Sequence, residues 1–256
     1  MKHVICMISI LMIFSLAVQA EKGEEESIYE EALAEYREDN FGESMALFEK
    51  LIAAGCSSFE LYYNAGNAAF KTGDIPTAIL NYEKALLFKP FNDDALHNLE
   101  MARSYTADKL EAIPEIFFVS WFKKVSLLLN TNQWALISLL SFTLFLVLLA
   151  VFLFSARYKT KKYSFSAAMI IFIISLLSFM LALTNKSLTW NNKESIVMEP
   201  QVTGRSSPGT GGRELFVIHE GTKVKVEDQL GEWYEVKLPD GTVGWIPMDF
   251  IEKITP

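Results

Sequence analysis

Apolar and polar positions along the chain fall into four regimes, each with its own period. A short apolar run near the N-terminus, Val4 to Val18, follows Lys2 and gives way at once to charged EKGEEE. From Glu25 to about Leu110, apolar residues recur at three- and four-residue intervals among many charges, which is the spacing of amphipathic helices. Two runs then carry no charge at all: Ala135 to Phe154, twenty residues, and Phe165 to Leu183, nineteen. As a helix, each spans roughly 30 Å, enough to cross the hydrocarbon of a bilayer, and core helices of soluble domains seldom sustain so long an uncharged stretch. In the C-terminal tail the period falls to two. KVKVE at Lys223 to Glu227 and EWYEVKL at Glu232 to Leu238 alternate, Asp240-Gly241 is a hairpin-type turn, and GWIP follows at Gly244 to Pro247. Short strands with Gly-rich turns predict a small barrel.

Charge fixes the expected orientation of the two spans. Between them lies RYKTKKY, where Arg157, Lys159, Lys161 and Lys162 crowd a connection of residues 155–164. Clustered Lys and Arg resist translocation, so the spans form a hairpin whose loop stays cytoplasmic, and the segments before and after it share the opposite side. The N-terminal twenty residues, MKHVICMISILMIFSLAVQA, agree independently. They combine a basic start, an apolar core and small residues Val18 and Ala20 at a cleavage site, the three parts of a secretory signal peptide. Cleaved or retained as an anchor, that segment places Glu21 outside. The expected location is a bacterial inner (cytoplasmic) membrane, crossed twice, with both soluble parts in the periplasm.

The helical regime repeats itself. At an offset of 34 residues Tyr29 aligns with Tyr63 and His97, Ala32 with Gly66, Tyr36 with Phe70, Arg37 with Lys71, Phe48 with Tyr82, and Leu51 with Ala85. The second copy predicts a helix ending near Thr72, a Gly73-Asp74 turn, and a second helix from Pro76 that stops before Pro90. Gly66, Gly73, Ala78, Tyr82, Ala85 and Pro90 resemble the signature of the tetratricopeptide repeat. Residues 21–112 then hold about two and a half copies: 25–58, with Ser44, Leu51 and Cys56 replacing signature residues, 59–92, and 93–110, a single helix with Asp93 or Asp94 as N-cap. The resemblance implies a groove on the first helices for an extended peptide or a partner helix. By register its positions are Tyr29, Leu33, Tyr36 and Arg37, then Tyr63, Asn64, Asn67, Phe70 and Lys71, then His97, Asn98 and Met101. Asn64 and Asn98 each offer a donor and an acceptor to a ligand's backbone, or are simply tolerated on a polar surface.

Residues 113–134 read IPEIFFVSWFKKVSLLLNTNQW, aromatics interleaved with Lys123 and Lys124. This segment predicts a helix lying in the headgroup region, or a further cap on the repeats. After a linker at 184–194, HEGT, W-x-x-V, DG-x-x-GW and a closing I-x-x-I across residues 195–256 resemble a bacterial SH3-type domain. Trp233, Tyr234 and Trp245 are its candidate surface for a peptide or wall glycan, with one or two of them needed for the core.

Charge and chemistry narrow the functions. From Glu21 to Leu110 there are eighteen Asp+Glu against eight Lys+Arg, a net of −10, which disfavours nucleic acid and anionic lipid as partners of that segment. With the leader removed, Cys56 is the sole thiol, and His97 and His219 are the remaining histidines, on different modules. No triad or His-rich metal site can be assembled, and PGTGG at Pro208 to Gly212 lacks the Lys-Ser/Thr of a phosphate loop. A non-enzymatic protein without cofactor or metal is expected. The fold class is multidomain: an all-α repeat array, a two-helix transmembrane hairpin, and a small all-β barrel.

The order of these pieces resembles the BatE family of the Bacteroides aerotolerance operon. That resemblance implies partners among von Willebrand A-domain Bat membrane proteins and, indirectly, a MoxR-type ATPase. The expected role is a membrane scaffold or adaptor presenting two interaction modules. The alternatives are a wall-binding protein in which the barrel recognises peptidoglycan and the repeats are a spacer, and a regulator of a partner enzyme.

Overall fold

The computed structural model describes residues 23–110 and 113–255. The proposed signal peptide lies outside the described residues. Two compact units result: the chain up to Glu111 joined by Lys193–Ile254, and Ala112–Asn192.

In the first unit, helix α1 (residues 23–37), α2 (Phe41–Ala53), α3 (Phe59–Thr72), α4 (Ile75–Phe88) and α5 (Asp93–Ser104) pack in sequence. Local chemistry sets their ends. The Ser58 hydroxyl accepts from Leu61 N–H and the Asp74 carboxylate from Thr77 N–H, so each opens a helix. Gly73 closes α3 at φ 85°, a left-handed turn that a side chain would strain. Gly66 has a different reason: a Cβ there would lie 2.8 Å from the Tyr82 ring, so its absence sets the approach of α3 to α4. The expectation of Asp93 or Asp94 as N-cap is corrected. Asn92 caps α5 by accepting from Ala95 N–H, and the two aspartates occupy the first turn, where they favour the helix dipole. The single helix expected over 93–110 also stops early, at Ser104. The Ser104 and Thr106 hydroxyls donate to the Met101 and Arg103 carbonyls, and the chain leaves towards the sheet.

That sheet has seven antiparallel strands: β1 (Glu194–Val197), β2 (Gln201–Arg205), β3 (Glu214–His219), β4 (Lys223–Leu230), β5 (Trp233–Lys237), β6 (Val243–Pro247) and β7 (Ile251–Lys253), in the order β3-β2-β6-β5-β4-β1-β7. Its inward positions, among them Val202, Ile218, Val224, Val236 and Ile246, form one core. The Asp240-Gly241 turn forms as expected, with Thr242 N–H donating to the Asp240 carboxylate and Gly241 at φ 91°.

Helices and sheet share a core. Ile196 of β1 and Ile254 beyond β7 are fully buried in one cluster with Ala78, Ile79, Leu99 and Ala102. At Gly221 a Cβ would lie 2.7 Å from Thr106, so the strand turn sits directly on the chain leaving α5. Polar groups complete the seam. Glu83 of α4 pairs with Arg103 of α5 and with Lys223 of β4 at 3.1 Å, and Lys223 also meets Glu194 at 2.5 Å. Lys84 reaches Glu252 at 2.9 Å. Asp108 accepts from His219 N–H at 2.7 Å, from the Thr222 hydroxyl at 2.6 Å and pairs with His219 Nδ1 at 3.0 Å. Burial raises the Asp108 carboxyl, but the hydrogen bonds from Thr222 and His219 outweigh it and hold the group below the ordinary carboxylate range.

The second unit contains α6 (Phe117–Ser126), α7 (Thr131–Phe154) and α8 (Tyr158–Thr189). Helices α7 and α8 are long and apolar enough to span a membrane, with mean hydropathies of 2.8 and 2.5. Both exceed the expected spans. The basic connection expected over 155–164 shrinks to residues 155–157, since Lys159, Lys161 and Lys162 enter the first turns of α8. The linker expected from residue 184 is also helical, through Thr189. Asn185 accounts for that extension: its amide nitrogen donates to the Ser126 and Leu129 carbonyls, and its oxygen accepts from the Thr131 hydroxyl. Small polar residues and aromatic pairs meet along the hairpin seam: the Ser138 and Ser175 hydroxyls each donate to the other's carbonyl at 3.0 Å, and the Phe145 and Phe172 rings lie 5.0 Å apart.

Candidate functional site

A cleft of about 350 Å³ opens on the helical layer, lined by Tyr36 of α1, Tyr63, Asn67, Phe70 and Lys71 of α3, Tyr82 of α4, and Asn98 and Met101 of α5. Residues from four helices meet there because α1, α3 and α5 present equivalent faces one offset apart, with α4 closing the floor.

Hydrogen bonds knit that floor. Asn98 Nδ2 donates to the Tyr63 hydroxyl at 3.2 Å and to Asn67 Oδ1 at 2.9 Å, while the Tyr82 hydroxyl donates to the same Asn67 oxygen at 2.8 Å. One offset earlier, Asn64 Nδ2 donates to the Tyr29 hydroxyl at 2.8 Å. The Asn-to-Tyr bridge therefore recurs at the same sequence separation, and it ties each first helix to the previous one. Both amide hydrogens of Asn98 are engaged, so it offers a ligand its carbonyl oxygen. The Tyr63 hydroxyl accepts from Asn98 and keeps its own proton to donate.

Burial pushes Tyr82 well above the usual tyrosine range, with Tyr63 and Tyr36 adding to it, and burial likewise raises Tyr36. Lys71 Nζ sits 5.7 Å from the centre of the Phe41 ring, which holds a cation at the rim of the cleft. The site thus combines aromatic walls, neutral donors and acceptors, and one ammonium. It suits an extended segment with apolar side chains and backbone groups to satisfy.

The structure brings together Tyr36, Tyr63, Asn67, Phe70, Lys71, Asn98 and Met101 among the groove positions read from register. Tyr29, Leu33, Arg37, Asn64 and His97 lie outside the cleft lining: Tyr29 and Leu33 pack on the buried cluster around Phe48, and Arg37 and His97 are exposed. Tyr82, a residue of the repeat signature that is absent from the groove positions read from register, also lines the cleft. Its ring is 1% exposed, yet its hydroxyl belongs to the cleft network, a dual role that the repeat signature does not mark.

On the sheet, Tyr234 is a core residue with Lys253 Nζ 5.0 Å from its ring centre. Trp233 and Trp245 are half-exposed on the opposite face, Trp233 paired with Pro247 and Trp245 with Glu235 across β5 and β6. Alternation along the strands puts all four side chains on one surface. Residues 205–252 match the bacterial SH3 domain family. The matched stretch runs from the end of β2 into β7, so the SH3-type domain carries both tryptophans, while β1, which contributes Ile196 to the seam, precedes it. No curated protein matches the chain.

Proposed function

We propose that the protein is a non-enzymatic membrane scaffold in which a tetratricopeptide-type array captures an extended segment of a protein partner while the SH3-type domain holds the array in shape. The cleft carries this reading: its aromatic walls, single lysine and unspent hydrogen-bonding groups across three successive first helices suit a peptide backbone better than a reacting small molecule. The shared core supports a two-pass topology. Residues before α7 and after α8 bury Ile196, Ile254, Leu99 and Ala102 together, and one core cannot be divided by a bilayer, so both ends of the hairpin emerge on one side. The basic residues at the start of α8 favour the periplasm of an inner membrane as that side. Partners of the Bat type, von Willebrand A-domain membrane proteins with a MoxR-type ATPase behind them, fit this arrangement.

The test is in-cell photo-cross-linking with a benzophenone side chain at Lys71 or Met101 of the full chain, with an exposed site on the sheet such as Glu220 as reference. The reading predicts an adduct with an integral membrane protein from the two cleft positions, weakened by Tyr63→Ala. Adducts independent of the cleft would overturn it. The face bearing Trp233 and Trp245 favours a second reading, recognition of cell-wall glycan. Under that reading the full chain co-sediments with peptidoglycan, and the double change Trp233→Ala, Trp245→Ala abolishes it.

A further inference from the structure

Helix α6 leaves its most apolar residues uncovered. Phe117, Phe118 and Trp121 are 73, 76 and 54% exposed, and at 100° per residue they fall within about 100° of the helix circumference. The opposite side is anchored. Ser126 is fully buried, and its carbonyl accepts from Asn185 Nδ2 of α8 and from Trp134 Nε1 of α7, each at 3.0 Å. Three further contacts lock the same corner: Asn185 Nδ2 to the Leu129 carbonyl, Thr131 to Asn185 Oδ1, and the reciprocal Asn130–Gln133 capping box that opens α7.

The corner lies at a defined level of the hairpin. Trp134 immediately precedes the uncharged run of α7, and Asn185 lies two positions beyond the uncharged run of α8. The last turn of α6 is therefore held where both apolar runs stop. If those runs fill the hydrocarbon, this is the boundary between acyl chains and headgroups, where aromatic side chains are favoured. Charge agrees with that depth. Lys123 is paired with Glu115 at 2.5 Å, whereas Lys124 of α6 and Lys186 of α8 are exposed and have no carboxylate partner among the described residues.

We propose that α6 is a lipid-binding helix. It lies in the interface of the leaflet that the hairpin enters, with Phe117, Phe118 and Trp121 among the upper acyl chains and Lys124 and Lys186 against lipid phosphates. The bilayer is the occupant because α6 is tied through Asn185 to two helices whose exposed surface over both runs is uncharged and mostly apolar. The proposal rests on the reading of α7 and α8 as membrane spans.

Nitroxide labels on single cysteines of the full-length protein, with Cys6 and Cys56 changed to Ser, test it in phosphatidylcholine vesicles with and without phosphatidylglycerol. Labels at Phe118, at Leu144 on the outside of α7 and at Glu100 on α5 are compared by collision with oxygen and with a water-soluble nickel chelate. The expected order of depth is Leu144 deepest, Phe118 at the level of the headgroups and upper acyl chains, and Glu100 in water. Phosphatidylglycerol should move Phe118 deeper, an effect lost in Lys124→Glu. A Phe118 label as wet as Glu100, beside a deep Leu144 label, overturns the proposal and leaves the spans standing. A wet Leu144 label overturns the spans and the proposal together.

Discussion

The helical layer and the hairpin turn their apolar residues in opposite directions. In the layer, Ala32, Phe48, Ala68, Ile79 and Ala85 are fully buried, and charge lies outside or is paired at the seam. In α7 and α8 the exposed surface is Leu136, Leu139, Leu140, Leu144, Val147, Ile173 and their neighbours, while the buried positions of α8 include Ser164, Ser175, Ser178, Asn185 and Thr189. Each helix set hides what its surroundings reject. The layer has the pattern of helices in water, and the hairpin that of helices long and apolar enough to span a membrane; in hydrocarbon, close approach of small residues and a few interhelical hydrogen bonds replace the hydrophobic effect as the source of association.

Four measurements press on that contrast. Truncating the interior of the layer should cost most: Phe48→Ala removes a fully buried ring and should destabilise the first unit by about 3–5 kcal/mol, read from urea midpoints of the full chain in detergent. Next comes one chemical change placed on both exteriors. Leu144→Lys should oppose membrane insertion by about 2.5–3.5 kcal/mol, whereas Leu96→Lys, on an equally exposed leucine of α5, should stay within about 0.5 kcal/mol, and equal effects would erase the distinction. Asp108→Asn should cost about 1.5–3 kcal/mol at neutral pH by weakening charged hydrogen bonds across the seam. Because folding lowers the pKa of Asp108, its contribution is present above the unfolded value, about 3.9, and is lost as pH falls through the folded value. The gap between wild type and Asp108→Asn should therefore close on acidification. The smallest effect is expected from Ser138→Ala, about 0.6 kcal/mol of hairpin association, measured by steric trapping in bicelles.

How much of this was legible depended on whether the signal was local. The two uncharged runs, the turn at Gly73, the close approach at Gly66 and the alternating tail are periodic or single-residue features; the turn and the strands form where expected, while each run lies inside a helix longer than the run itself. The N-cap of α5 falls one or two residues before the expected Asp93 or Asp94 because Asn92, Asp93 and Asp94 are all competent caps, and backbone geometry at the Lys89–Asn92 turn decides among them. The seam was not legible at all. Asp108 and His219 are separated by 111 positions, and neither is unusual for its neighbourhood. Two interaction modules were expected from the change of period, and no feature of the sequence marks Ile196 and Ile254 as the residues that commit the sheet to the helical core. In the cleft, Tyr36, Tyr63, Asn67, Phe70 and Asn98 could be read from the offset, whereas Tyr29 and Asn64 fall outside the lining and Tyr82 inside it, and the bonds that tie Asn98 to Tyr63 and Asn67 depend on helix crossing angles that a repeat pattern does not encode.

The central claim is that a hairpin holds both halves of one folded unit on the same face of a membrane. Single cysteines replacing Ala107, Glu220 and Lys159, in a chain with Cys6 and Cys56 changed to Ser, can be challenged with a membrane-impermeant maleimide in spheroplasts. The account predicts that positions 107 and 220 label in intact cells and that 159 labels only after permeabilisation. Labelling of 107 without 220, or of 159 in intact cells, would contradict it.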